Sequence, residues 1–300
     1  MIGLLLVMVS SICFAVVPNA GKVALDDGVS LFVLIVTRYA IGAAILAPII
    51  ALTKTSIRVP RRLIPKLLFV SMMALLLLMA TYHAVDHLDI GLVLLILFSF
   101  PIGVALCAAR RWFCMGMVMA GLAIMIIDGI DGINLYGLFI SAMGLVFFVL
   151  FIDSSSELAV ELGSSTLNLY ISLTGLMALL LAYGVAMIVG GLAVEGLPVE
   201  GLPVGISIAM PESTRGLTAI WANGVFYIVS WVLFFEGARI VGATRAALMA
   251  CVEPLFAALL ALMVLGQRLS AVEWGGFFIV LGAIYAFERL GQKTSDQSQT

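Results

Sequence analysis

Residues 248–274 read LMACVEPLFAALLALMVLGQRLSAVEW, with Glu253-Pro254 set inside an apolar run that is free of any other charge until Arg268. In the interior of a water-soluble helix a proline removes a backbone hydrogen bond, clashes with the preceding turn and costs about 3 kcal/mol or more. In a lipid-embedded helix the groups it frees are re-satisfied by neighbouring helices, so the proline is tolerated and marks a local break. The stretch therefore reads as a membrane helix with an acid placed at its break.

The run is one of many. The chain has 300 residues, 63% of them hydrophobic, against roughly 45–50% apolar for a soluble domain. Crossing a bilayer takes about 20 predominantly apolar residues. Ten such spans are predicted, at 2–22, 31–52, 67–85, 89–109, 112–128, 136–153, 166–190, 216–236, 243–265 and 272–288. The first lacks the basic leader and small-residue cleavage signature of a signal peptide, so it is expected to be the first transmembrane helix. Cys13, Cys107, Cys114 and Cys251 lie in or beside apolar spans without a C-x-x-C pattern, which signals neither a metal cluster nor a disulfide framework. A net charge of −2 offers no basic surface for nucleic acid, and no Walker sequence is present for ATP hydrolysis.

Charge is sorted along the chain. With the N-terminus inside, Lys54, Arg58, Arg61, Arg62, Lys66, Arg110, Arg111, Arg239, Arg245, Arg289 and Lys293 fall on one side. The opposite loops carry Asp26, Asp27, Asp86, Asp89, Asp128, Asp131, Glu195, Glu200, Glu212 and Glu273. The positive-inside rule then puts both termini in the cytoplasm of a multi-pass inner (plasma) membrane protein.

The two halves echo each other. GLLLVMVSSICFAV at 3–16 resembles GLFISAMGLVFFVL at 137–150, and FSFPIGVALCAARRW at 98–112 parallels the stretch beginning CVEPLFAALLALMV at 251. Pro101 and Pro254 occupy the fourth span of each half. Five spans per half, an odd number, turn the second copy upside down, which is the inverted-repeat construction of secondary transporters. The expected architecture is all-α: ten transmembrane helices as two inverted five-helix repeats, 1–130 and 131–290, followed by a polar cytoplasmic tail at 291–300.

Glu253-Pro254, the run Gly266 to Ser270, Glu273-Trp274-Gly275-Gly276 and Gly282 resemble the C-terminal signature of the EamA-type permeases of the drug/metabolite transporter superfamily. Asn19 after Pro18 and Arg38 early in the second span are also similar to that family. The chain departs from it at Gly266-Gln267, where Gly-Glu is usual, at Arg110-Arg111-Trp112, and in the long connector 191–215 with its tandem EGLPV. The resemblance implies a secondary transporter that exports a small organic metabolite, such as an amino acid or related compound, by alternating access. No cofactor is expected, a coupling proton is possible, and the assembly is a monomer or homodimer.

Ionised groups inside a bilayer cost roughly 2.5–3.5 kcal/mol each on insertion scales and face a bundle interior or wet cavity. Arg38 is expected to hold an anionic group of the substrate. Glu253 either binds a cationic group or a coupling proton, or serves the backbone freed by Pro254. Asn223, Tyr227 and Trp231 follow at i, i+4 and i+8 on one helix face, as wall of a pocket or as packing. Tyr82, His83 and Asn19 complete the expected substrate-binding set, and Asp153 stands near the cytoplasmic mouth. TYHAVDHLD at 81–89 supports a rival, an intramembrane lipid-modifying enzyme using His83, Asp86 and His87. The bland alternative for these three is a titratable edge in water, because no other histidine exists to complete a metal site.

Overall fold

A long apolar segment in lipid must satisfy its own backbone, and the helix is the single-segment solution. In the computed structural model every regular element among the described residues is helical. The structure describes residues 2–88, 90–98, 134–192 and 208–242, with 246, 249–250, 253–264, 266, 270–272, 274–276, 278–279, 281–282 and 286. The predicted span 112–128, Pro101, Arg110 to Trp112, the tandem EGLPV, Gln267 to Leu269, Glu273 and the tail lie outside them.

The helices are α1 (Ile2–Asp26), α2 (Leu31–Thr53), α3 (Ile64–Val85), α4 (Ile90–Phe98), α5 (Leu135–Leu162), α6 (Ser164–Leu192), α7 (Thr214–Val241) and α8 (Glu253–Val264), with a 3-10 turn at Arg61–Leu63 before α3. Among the described residues, six helices are long and apolar enough to cross a membrane: α1, α2, α3 with its leading turn, α5, α6 over Ser164–Val185, and α7. At 1.5 Å per residue, 25 residues span about 37 Å, enough for a hydrocarbon core of roughly 30 Å.

Polar side chains fix the ends. Ser30 caps α2 by accepting from the Val33 N–H, and Asn134 caps α5 by accepting from Tyr136 and Gly137. Ser213 caps α7 through the Gly216 N–H; each satisfies an orphan donor of the first turn. A single residue, Gly163 at φ 80°, joins α5 to α6, a conformation that glycine adopts without a Cβ penalty.

α1 runs from an end rich in Lys54, Arg58, Arg61, Arg62, Lys66 and Arg239 to an end carrying Asp26, Asp27, Asp86 and Glu212. α1 packs chiefly on α7 and α8, α3 chiefly on α5, α4 on α5 and α8, and α2 and α6 on each other. Lipid supplies no hydrophobic drive between helices, so small residues and interhelical hydrogen bonds carry the contact. On α1 and α7, Gly237 meets Val7 and the Gly3 carbonyl, and Ser10 Oγ donates to the Ser230 carbonyl at 2.8 Å. Between α3 and α5, Arg62 pairs with Glu161 at 2.8 Å and Lys66 with Glu157. Leu5, Met8, Ile12, Phe139, Leu181 and Met263 are exposed around the outside, as an apolar sleeve requires.

Candidate functional site

Pro18 sits inside α1 and has no N–H for the Phe14 carbonyl four residues back. Around that interruption side chains take over from backbone. Asn19 Nδ2 donates to the Ala15 carbonyl at 2.9 Å and across to Ala257 of α8 at 3.1 Å. Asn223 Nδ2 of α7 donates to the Val17 carbonyl at 2.8 Å. Val17 and Pro18 form part of the wall of an interior cavity of about 120 Å³.

The cavity is walled by α1, α2, α3, α4, α5, α7, Ala250 and the start of α8. α1 gives Phe14, Val17 and Pro18; α3 gives Ala74, Leu77, Leu78, Thr81 and Tyr82; α5 gives Phe148, Phe151 and Ile152. α7 gives Tyr227, Trp231 and Phe234, and Leu94, Leu97 and Ala250 close the sides. Its charged groups are Arg38 and Glu253. A few convergent polar groups in an otherwise apolar hollow are the usual make-up of a small-molecule site.

Arg38 is 2% exposed. Its Nε donates to Asn223 Oδ1 at 2.7 Å and its Nη2 to the Tyr82 hydroxyl. The guanidinium lies 5.0 Å from the Tyr82 ring centroid and 4.6 Å from that of Tyr227, two cation–π contacts. Among the described residues no carboxylate pairs with it. Tyr82 also receives a hydrogen bond from Asn223 Nδ2 and lies 3.4 Å from the Val17 carbonyl. Gly21 makes room for the phenol: a Cβ there would overlap the Tyr82 ring.

Glu253 is 4% exposed and opens the described part of α8. No hydrogen bond or ion pair reaches it among the described residues, and it faces the same cavity as Arg38. Trp231 anchors an aromatic cluster, with Phe14 at 4.8 Å and Phe151 at 5.0 Å, both edge-on, and Phe235 stacked at 5.3 Å. Such pairs add about 0.5–1.5 kcal/mol each beyond burial.

The structure thus brings Arg38, Glu253, Tyr82, Tyr227 and Trp231 into the lining of one cavity, with Asn223 behind Arg38. Asn19 stands elsewhere, tying α1 to α8, with its Oδ1 buried and without a hydrogen-bond partner among the described residues. His83, expected at the cavity, is not on its wall: its Nε2 lies 3.0 Å from the Tyr136 hydroxyl and its ring meets His87 edge-on at 5.2 Å. Adjacent helical positions diverge by about 100°, so the inward turn of Tyr82 sends His83 toward α5. Asp86 lies 3.6 Å from Lys22 of α1, and no group of three metal-binding side chains occurs among the described residues. Asp153 is exposed. The aromatic wall of Phe14, Phe148 and Phe151 escaped sequence reading because phenylalanine in an apolar span carries no signal of its own; the Pro18 break beside it does.

Comparison with known proteins agrees with this picture. Residues 184–288 match the EamA-like transporter family. An uncharacterized inner membrane transporter of Salmonella typhimurium, YicL, is 32% identical over 65 residues, 20% of this chain and 22% of that one. An uncharacterized transporter of Bacillus subtilis, YcbK, is 25% identical over 231 residues, 71% of this chain and 69% of its own. A solved crystal structure of a protein superposes over 94% of this chain and 95% of its own, with TM-score 0.64 at 14% identity, a likeness of fold alone. Residues 184–288 are thus similar to the EamA-like transporter family, the superfamily resemblance read from the sequence agrees with that match, and the apolar helices make the chain a multi-pass membrane protein.

Proposed function

We propose that the chain is a secondary transporter that carries a small organic metabolite, such as an amino acid or related compound, out of the cytoplasm by alternating access. The observation that carries this reading is the cavity whose lining holds both Arg38 and Glu253; among the described residues no carboxylate pairs with the one and no hydrogen bond reaches the other. A buried guanidinium met only by neutral groups leaves its charge for an incoming anion. Arg38 then holds an anionic group, Tyr227 and Trp231 line the body of the ligand, and Glu253 takes a cationic group or the coupling proton.

The inverted repeat belongs to the same proposal, with ten helices in two halves at 1–130 and 131–290. Its support lies in how the described helices pair. Exchanging α1 with α5, α2 with α6, α3 with α7 and α4 with α8 turns each main packing pair into another that exists. Thus α1 on α7 becomes α5 on α3, α1 on α8 becomes α5 on α4, and α2 on α7 becomes α6 on α3. Each exchanged helix also runs in the opposite direction. The basic end is proposed as cytoplasmic and the membrane as the inner one, as the Salmonella relative's name has it.

A thermal-shift screen of metabolites on detergent-purified protein tests the reading, since a ligand bound only by the folded state raises its melting point. Carboxylate-bearing metabolites are expected to stabilise the wild type and not Arg38→Gln. Equal stabilisation of both would remove Arg38 from the site. Product formation from lipid, with no transport in liposomes, would instead favour the enzyme reading.

A further inference from the structure

Tyr82 is placed to do more than steady Arg38. Two groups of helices flank the cavity, α1 packed on α7 and α8 with α2 on α7, and α3 packed on α5 and α6 with α4 on α5; they meet where α2 packs on α6 and α4 on α8. The cavity lies between them, with Pro18, Arg38 and Trp231 on one side and Leu77, Tyr82 and Phe151 on the other. Among the described residues, polar contacts that cross between the groups fall at two levels. Toward the basic end, Ser164 Oγ donates to Glu236 at 2.6 Å, Tyr170 Oη to the Ile57 carbonyl at 2.7 Å and Thr166 Oγ1 to the Ser56 carbonyl at 3.2 Å. Toward the acidic end they converge on one atom, the Tyr82 hydroxyl, which accepts from Arg38 and Asn223 and donates to the Val17 carbonyl. At the rim beyond it, Lys22 of one group lies 3.6 Å from Asp86 of the other.

We propose that the Tyr82 hydroxyl is the latch of a gate that closes the cavity toward the acidic end of the bundle, with Lys22 and Asp86 as its outer bolt. The geometry suits a reversible closure. All three hydrogen bonds of the layer share one rotatable phenol, so a single side-chain swing releases α3 from α1, α2 and α7 together. Tyr82 lies one turn from the end of α3, whereas Leu77 lies more than a turn deeper on the cavity wall. Anything entering from the acidic end therefore meets this layer before it meets Leu77. The inference deepens the transporter reading, because a carrier must open each end in turn.

The test reads access and needs no substrate. Leu77→Cys, in a background whose native cysteines are replaced, is labelled in membranes with a charged, impermeant methanethiosulfonate applied from either face. Cysteines at Glu212 and Arg61 report which face is which. In Tyr82→Phe, which keeps the ring over Gly21 and loses the hydroxyl, labelling from the acidic face is expected to rise about tenfold, the population that a charge-assisted hydrogen bond suppresses. Asp86→Asn, at a half-exposed position where folding is not at stake, is expected to raise it about two- to threefold. Labelling from the basic face should stay as it was. An unchanged rate from the acidic face in Asp86→Asn and in any folded Tyr82→Phe, or an equal rise from both faces, overturns the latch. Because labelling reports an opening whether or not a ligand exists, its failure is separate from failure of the metabolite screen.

Discussion

The Arg38 guanidinium lies 4.6 Å from the centroid of the Tyr227 ring and is met by no carboxylate among the described residues. Amide, phenol and ring faces hold the cation in position without neutralising it. On the proposed reading, the cation is kept for an incoming anion. Arg38→Gln keeps donors of similar reach and removes the charge, and is expected to weaken a carboxylate ligand by about 1.5–3 kcal/mol, roughly ten- to a hundredfold in Kd. Arg38→Lys should recover part of this, since an ammonium keeps the charge and loses the planar fork. Calorimetric or thermal-shift titration of whichever acid the screen returns measures both.

Glu253 separates from Arg38 in kind. Glu253→Gln retains size and polarity and cannot carry a proton, so binding of a neutral or anionic ligand should stay within about threefold of wild type. Transport driven by a pH gradient should vanish, while exchange of labelled for unlabelled substrate continues. Uptake assays in liposomes with and without the gradient distinguish the two; gradient-driven uptake by the variant would assign Glu253 to structure.

Gly21 admits the Tyr82 ring against α1. Gly21→Ala places a methyl where that ring lies and should destabilise by about 1–3 kcal/mol, the usual cost of overpacking. Gly184, with open space around its Cβ position, is the control: Gly184→Ala should leave the melting temperature unchanged or raise it slightly. Differential scanning fluorimetry in detergent reads both.

Asp27 links the α1–α2 turn to the start of α7, accepting from the Ser213 hydroxyl at 2.6 Å and N–H at 3.0 Å. These bonds hold its carboxyl below the ordinary value of 3.8. A depressed folded-state value means that the stabilisation is complete above the unfolded pKa and is lost as pH falls through the folded one. Asp27→Asn should therefore lower the melting temperature at neutral pH and make no difference in strong acid, where the wild-type carboxyl is itself neutral. Melting curves of the two proteins across pH 2–7 check the convergence.

The basic end is expected to face the cytoplasm. In intact cells, a cysteine replacing Glu212 should react with an impermeant thiol reagent and one replacing Arg61 should not. The reverse pattern would invert the topology and, with it, the proposed direction of export.

Much of this molecule was legible from residue types alone. Transfer to lipid is nearly additive along a segment, so apolar length located α1, α2, α3, α6 and α7 within about five residues of their observed ends, whereas α5 runs on from the predicted end at 153 to Leu162 through a polar stretch that apolar length does not register. Charge sorting along the chain likewise reappears as the two ends of the bundle. Arg38 stood out because a cation within such a segment demands an explanation wherever it points. What lay beyond the sequence was rotation and partnership. Tyr82 and His83 are neighbours with similar polarity, and only the packing of α3 against α1 and α5 decided which turned to the cavity and which to Tyr136. Asn19 and Asn223 are both amides within apolar spans. One ties two backbones and the other orients a guanidinium, because Arg38 reaches α7 across 185 residues of chain and no local pattern encodes so distant a contact. Composition sets how deep a segment lies in the membrane. Which face of each helix turns inward is fixed only when all of them pack together.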